Sequence, residues 1–466
     1  MKNVLFWFRN DLRLHDNEAL VKAFEKGNLI PVYIIDPRQF QKNNLGFKRT
    51  GAIRAQFLLE SLLDLKKSLQ SLGSDLIIKI GIPENELLEI SLKYNVDYVV
   101  ASKEVTQEET SIESAFSYKL KPQNIDIDLF WGNTLVHVRD LPFQIHFLPD
   151  VFTDFRKKVE NYWRIRPCFD TPQIINSPDN LEKTQVPTLK DLGFENIIED
   201  QRDLNGFIGG ESKGLSRLNE YLWEKDLLKT YKSTRNQMLG KDFSTKFSAG
   251  LSLGCLSPRR IYEEVKMYEK ENSMNESTYW LVFELLWRDY FHFIALKFGV
   301  RLFKRCGIKH DFTKRWKRNK DHLYKWIEGK TGVPIVDACM RELKYTGYLS
   351  NRGRQIAASF FSKDLGLEWW WGAMYFESQL IDYEVCSNWG NWNYIAGIGT
   401  DPREDRYFNP VNQALKYDSD ANYIKTWLPE LQNLPALELI EINGISNYSS
   451  SIGEYPAVPI IKSKKW

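Results

Sequence analysis

Residues 369–409, WWWGAMYFESQLIDYEVCSNWGNWNYIAGIGTDPREDRYFN, pack five tryptophans and four tyrosines among acids, asparagines and glycines. Trp and Tyr carry a large apolar ring with a polar handle, which suits the wall of a pocket for a flat polar ring or a nucleobase. An aromatic helical core is the ordinary fate of such residues. Asp382, Glu384, Asn388, Asn391 and Asn393 weigh against it, because a core must partner each of them. Composition therefore leans modestly towards a binding pocket.

At 466 residues the chain is too long for one core and implies two or three domains. A hydrophobic content of 43% with 27% charged residues is ordinary for a globular protein. No apolar run approaches the roughly 20 residues of a membrane span. A strand-like VLFWF begins at residue 4, so no targeting peptide is expected and a cytoplasmic location is. The five cysteines (Cys168, Cys255, Cys306, Cys339, Cys386) are scattered and form no metal-ligand pair, which suits reduced thiols. The six histidines are equally dispersed, and no metal site is expected. Net charge, +2, says little, but residues 301–320, RLFKRCGIKHDFTKRWKRNK, hold nine Lys/Arg against one acid. A solvated helix face and a phosphate-binding rim both fit that run.

The first third alternates strand and helix patterns. Apolar, β-rich runs occur at 4–8, 29–35, 75–80, 96–101 and 125–131, separated by helical stretches such as GAIRAQFLLESLLDLKKSLQSLG. Right-handed crossovers then predict a doubly wound parallel sheet, an α/β domain over 1–131. No G-x-G-x-x-G turn follows the first strand, so no dinucleotide belongs there. Prolines at 142, 149, 167, 172, 178 and 187 predict a connector over 132–200. From 201 to 435 the patterns are helical, an all-α domain around a planar ligand. Residues 436–466 carry little pattern and read as a frayed tail.

The segment 369–409 resembles the flavin-binding core of the photolyase/cryptochrome family, and DPREDRYFNP resembles the DASH-type cryptochromes in particular. Matching landmarks recur in order along nearly the whole chain. The resemblance implies FAD in the helical domain. Ser244, Thr245, Lys246, Phe247 and Ser248 match its diphosphate-binding stretch, where hydroxyls and N–H groups entering a helix suit an anion, although a plain N-cap reads the same way. Tyr231 and Arg288 match further cofactor contacts. Asn351 and Arg354 match positions lining the flavin ring, with Arg354 paired to Asp382. Asn388 matches the residue facing the flavin N5. Glu384 departs from the family, which mostly has Asp there.

Trp392, Trp369 and Trp316 match the family's electron relay, and packing alone would explain any one of them. ASKEVTQEET matches the region that holds an antenna, 5,10-methenyltetrahydrofolate, with Glu109 as the candidate carboxylate; acids opening a helix are also plain dipole partners. The family reading implies a blue-light lyase that splits cyclobutane pyrimidine dimers by electron donation from reduced FAD. Glu284 matches the acid at the dimer's carbonyl edge. Trp287 and Tyr394 match the flanking rings, while Arg235, Asn351, Arg352 and Gln355 match the remaining lesion contacts. Tyr394 and Gln355 stand where duplex enzymes carry Trp and Met, which implies repair of single-stranded or locally open DNA. RNA is a further partner to consider, and a monomer is expected. The alternative is a photoreceptor signalling through FAD photoreduction.

Overall fold

The computed structural model describes residues 2–198, 200–403, 406–441, 444–463 and 466. Of the DPREDRYFNP run, Glu404 and Asp405 lie outside the described residues. All five strand patterns form strands: β1 (Asn3–Trp7), β2 (Asn28–Ile35), β3 (Ile77–Ile80), β4 (Tyr98–Ser102) and β5 (Asp126–Phe130). They pair in parallel in the order β3-β2-β1-β4-β5. The central strands are buried on both faces, which is why VLFW and LIPVYII read as unbroken apolar runs. Helices α1 (Glu18–Lys26), α2 (Ala52–Ser71), α3 (Pro83–Lys93) and α4 (Gln107–Leu120) make the crossovers. The chain winds outward from β1 to β3 and then returns to β4. The switch point therefore lies between the carboxyl ends of β1 and β4, where open α/β sheets bind ligands.

The proline-rich stretch contains one helix that its composition did not suggest, α5 (Phe152–Asn161), which buries Phe152, Phe155 and Val159. Beyond it come α6 (Glu211–Asn219), α7 (Tyr231–Thr234), α8 (Ser248–Ser252), α9 (Pro258–Asn272), α10 (Glu276–Phe298), α11 (Lys320–Ile327) and α12 (Pro334–Thr346). The last helices are α13 (Asn351–Ser359), α14 (Trp369–Gln379), α15 (Val385–Ala396), α16 (Pro410–Tyr417), α17 (Asn422–Trp427) and α18 (Ala436–Ile440). The central α10 starts at an Asn275–Thr278 capping box and is buried along most of its length. Close packing around it needs glycine: a Cβ on Gly390 would lie 2.3 Å from the Phe291 ring.

The described residues of the expected tail are docked, not frayed. Tyr455 is buried and donates to Asp337 Oδ2 at 2.6 Å, Ile460 N donates to Thr331 O at 2.9 Å, and Trp466 stacks on Phe360. Single aromatic and aliphatic anchors spaced along a polar stretch hold it down, and such anchors have no period to detect.

The turn after β1 joins the two halves. Asp16 is buried against Arg259 at 2.7 Å and accepts the Ser257 hydroxyl, while Arg13 Nη1 donates to Gly254 O at 2.9 Å. Glu211 at the start of α6 accepts Leu14 N and His15 N at 2.8 and 2.9 Å. Gly254 has φ +66°, and a Cβ there would lie 2.1 Å from Asn10 O. Gly254→Ala is expected to lower stability by about 2 kcal/mol or more, read as a shifted urea midpoint, because strained φ and backbone overlap act together.

Candidate active site

The carboxyl end of α14 and the start of α15 present the acids and amides of the aromatic segment to α13. Arg354 donates to Asp382 Oδ2 at 2.7 Å and to Leu349 O at 2.9 Å. Burial opposes the guanidinium's charge, but Asp382 and Tyr348 outweigh it and Arg354 stays cationic. Asp382 Oδ1 is buried with no partner. An orphaned acceptor of this kind calls for a donor from a bound molecule. Asn388 is buried, with its Nδ2 held by Ala373 O at 3.1 Å. Asn351 opens α13 and is exposed.

The Ser244–Ser248 stretch forms a loop, not a long helix start, since α8 runs for only five residues. Lys246 sits there at φ +62°, buried, with Nζ 3.7 Å from the Phe243 ring centre and 4.3 Å from that of Tyr348. Burial pulls its pKa down to about 7. Arg217, which sequence reading missed, braces the loop by donating to Thr245 O and Ser244 O at 3.1 and 3.2 Å. A cavity of about 220 Å³ opens beside Arg217, Lys246 and Phe247. Tyr231 is buried, which raises its phenol pKa. Arg217 and Lys246 line this void and suit an anionic group, while the unpaired Asp382 Oδ1 beside Arg354 suits a hydrogen-bond donor.

Glu384 and Arg288 are seated differently. Glu384 caps α15, accepting Cys386 N at 3.2 Å and Ser387 N at 3.0 Å, and pairs with His292 Nε2 at 3.3 Å. Burial would raise its carboxyl, but His292 and Arg288 hold it below the usual range. Arg288 donates to Asn133 O and Leu251 O. No metal site was expected, yet ligand atoms of His292, Glu384 and Cys386 lie within 4.8 Å of one another. Glu384's oxygens are already engaged by N–H and O–H donors, so the cluster is explained as a helix cap with a histidine partner.

Glu284 is paired with Arg235, a partnership the sequence did not reveal, and burial raises its pKa against Arg235's pull. Trp287 stacks on Phe152 at 3.7 Å and meets Tyr394 edge-on at 6.0 Å. Gln355 Oε1 is buried without a partner. Arg352 donates weakly to Gln413 and Asn236, both at 3.4 Å, and lies over the Tyr417 ring.

Trp392 is buried edge-on to Phe376, Phe361 and Trp326. Trp369 is buried, donates to Arg305 O at 3.2 Å and meets Trp389 edge-on at 5.7 Å. Trp316 is half-buried in the loop before α11. Trp326 and Trp389, in ring contact with the first two, had not been singled out.

A second cavity, about 370 Å³, lies at the switch point and is lined by Trp7, Arg9, Glu104, Glu109, Tyr383 and Trp389 among others. Arg288, His292 and Glu384 also line it. Glu109 is turned to the Thr106 hydroxyl. Glu104, which sequence reading passed over, is buried, accepts Asn10 Nδ2 at 3.1 Å, and is pushed by burial to a pKa of about 8 despite Arg9. Its place two residues beyond β4 was the available signal.

Two family models match the chain: DNA photolyase over residues 4–173, and the FAD binding domain of DNA photolyase over residues 280–465. The cryptochrome DASH of Gloeobacter violaceus is 50% identical over 441 residues, 94% of this chain and 88% of that one. The chain belongs to the photolyase/cryptochrome family, in its cryptochrome DASH branch. Cryptochrome DASH of a Synechocystis strain is 51% identical over 437 residues, 93% of this chain and 88% of that one. The crystal structure of Synechocystis sp. PCC6803 cryptochrome superposes with a TM-score of 0.95 at 46% identity, covering 99% of this chain and 97% of that one. A bacterial class III photolyase from Agrobacterium tumefaciens follows the same fold, TM-score 0.84 at 26% identity, over 100% and 95% of the two chains. The helical half is thus a photolyase-type FAD-binding domain, and the orphaned Asp382 oxygen beside Arg354 fits that cofactor.

Lys246 binds its proton more weakly folded than unfolded, so its charge destabilises the fold at low pH and this penalty lifts as pH rises through about 7. In FAD-stripped protein, Lys246→Met is expected to remove about 2 kcal/mol of the stability gained between about pH 7 and 9. Urea titrations of both proteins across that range check it.

Proposed function

We propose that this protein is a blue-light lyase that splits cyclobutane pyrimidine dimers, preferring single-stranded or locally open DNA. FAD, when bound, supplies the light absorption and the one-electron chemistry. Asp382, Arg354 and Asn388 would hold the ring, while Lys246 and the Ser244–Ser248 loop would hold the diphosphate. Trp392, Trp369 and Trp316 are oxidisable rings suited to relaying an electron inward from the surface. Glu284, half-buried and held by Arg235, is suited to hydrogen-bond the polar edge of a dimer as charge develops there.

One observation carries the substrate form: Gln355 Oε1 is buried and unsatisfied, at a position that the family match sets in the lesion wall with Tyr394 and Trp287, which meet edge-on. Seating a lesion there must satisfy an amide, and Tyr buries less apolar surface than Trp, so binding is weaker than in an apolar pocket. Flipping a dimer out of a duplex costs a few kcal/mol more than taking it from an unpaired strand. The deficit falls on duplex DNA. One defined dimer placed in single-stranded, bubble and duplex oligonucleotides is expected to be repaired in the first two, with little repair in the third. Equal repair of all three would overturn the pocket argument. Repair of none would leave the photoreceptor alternative.

The same reading puts 5,10-methenyltetrahydrofolate in the switch-point cavity. Glu104, neutral over a wide pH range, can both give and accept a hydrogen bond at a pterin edge, whereas Glu109 is occupied by Thr106. Glu104→Ala is expected to lower folate occupancy severalfold at unchanged FAD content, and Glu109→Ala to lower it less. The near-ultraviolet folate band measured against the visible flavin bands reads both. The opposite ranking would return the contact to Glu109.

A further inference from the structure

The basic run 301–320 is not a solvated helix face. Between residues 304 and 319 the chain makes turns and extended segments only, and all nine Lys/Arg of the run are exposed. Its backbone is nevertheless pinned. Trp369 Nε1 donates to Arg305 O, Ile308 N to Asn393 Oδ1 at 3.3 Å, Lys309 N to Ile398 O at 3.1 Å and Lys317 N to Gly366 O at 2.8 Å. Few of the charges are neutralised. Arg305 and Arg318 share the single carboxylate of Glu368, and Lys314 lies beside Asp311, the run's one acid. Among the described residues, Arg301, Lys304, Lys317 and Lys320 form no salt bridge. Amid these cations Phe312 is 69% exposed, an aromatic face offered to solvent.

The run also abuts the lesion wall. Gly307 and Ile308 pack on Asn393 and Ile398, flanking Tyr394 at the end of α15. Lys309 Nζ donates to Asp401 O at 3.0 Å, Asp401 holds Arg406, and Arg406 lies 5.0 Å over the Tyr394 ring. These contacts tie the basic run to the Tyr394 end of α15.

We propose that residues 301–320 are a preformed track for the single-stranded DNA flanking the dimer, with the lysines and arginines on its phosphates and Phe312 stacking a base; the link to the pocket rests on the lyase reading above. Uncompensated cations interleaved with an exposed ring match single-strand binding, which combines an electrostatic groove with aromatic platforms. A pinned backbone spares the ordering cost that a flexible basic tail would carry. An acidic protein would satisfy the charges but has no use for a lone exposed ring among them.

The test uses the FAD-loaded full chain and an undamaged oligothymidylate, with binding followed by anisotropy over a range of salt. In the quadruple variant Lys304→Gln, Lys314→Gln, Lys317→Gln, Lys320→Gln, the slope of log affinity against log salt is expected to fall by about 2–3, because each single-strand phosphate contact contributes about 0.7. Phe312→Ala is expected to weaken binding about tenfold with the slope kept. An unchanged slope in a quadruple variant with wild-type flavin content and melting temperature would overturn the track. So would lost binding of an acidic peptide with none lost for the oligonucleotide, which would give the surface to a protein partner. Repair of a bare dimer dinucleotide, too short to reach the track, is expected to be the same in wild type and variant. If neither repairs it, the lyase reading fails while the salt slope still decides the track.

Discussion

A buried ion pair carried by the turn after β1, Asp16 with Arg259, is the contact on which the two halves depend. Two charges removed from water are stabilised only if hydrogen bonds replace the water, and around Asp16 the Ser257 hydroxyl, Phe169 N and Arg259 Nε all donate to its carboxylate. Losing either partner would leave an uncompensated charge in the interface. The node therefore sets the approach of sheet and helices more strictly than apolar contact could, because hydrogen bonds are directional and hydrophobic burial is not.

That approach creates the larger cavity. The carboxyl ends of β1 and β4 supply Trp7, Arg9 and Glu104, and the helical half supplies Trp370, Tyr383, Glu384 and Trp389. Neither half encloses the space alone. The same rigid placement leaves a few polar atoms unpaired, Asp382 Oδ1 and Gln355 Oε1 among them. Each costs stability unless a donor reaches it, and a bound cofactor or substrate is the source proposed for that donor. Glu104, Glu284 and Lys246 are shifted in the direction that burial dictates for an acid or an amine.

Much of this was legible in the chain. Strand positions followed from apolar runs because parallel strands are buried on both faces, and the five segments needed only small shifts at their ends. Arg354 with Asp382 was legible through the wording of the family's motifs. What escaped had little local signal, the place of Glu104 just past β4 being the exception. Arg217, Glu104 and the partnership of Arg235 with Glu284 join residues 28, 94 and 49 positions apart to the groups they serve. Glu384 was expected at the flavin through the family match, and the contacts that its carboxylate makes in the fold, the cap of α15 and His292, were not legible in the chain.

By itself the sequence determined the fold class, the parallel sheet, the helical FAD-binding domain and the family, because periodicity and motif wording are local properties of the chain. Only the tertiary structure decided which carboxyl faces which cavity, whether the final residues are docked, and where the basic run lies relative to Tyr394. Those outcomes depend on the direction of side chains brought together from distant segments. Periodicity says which face of an element is buried, and nothing in it says what that face will meet.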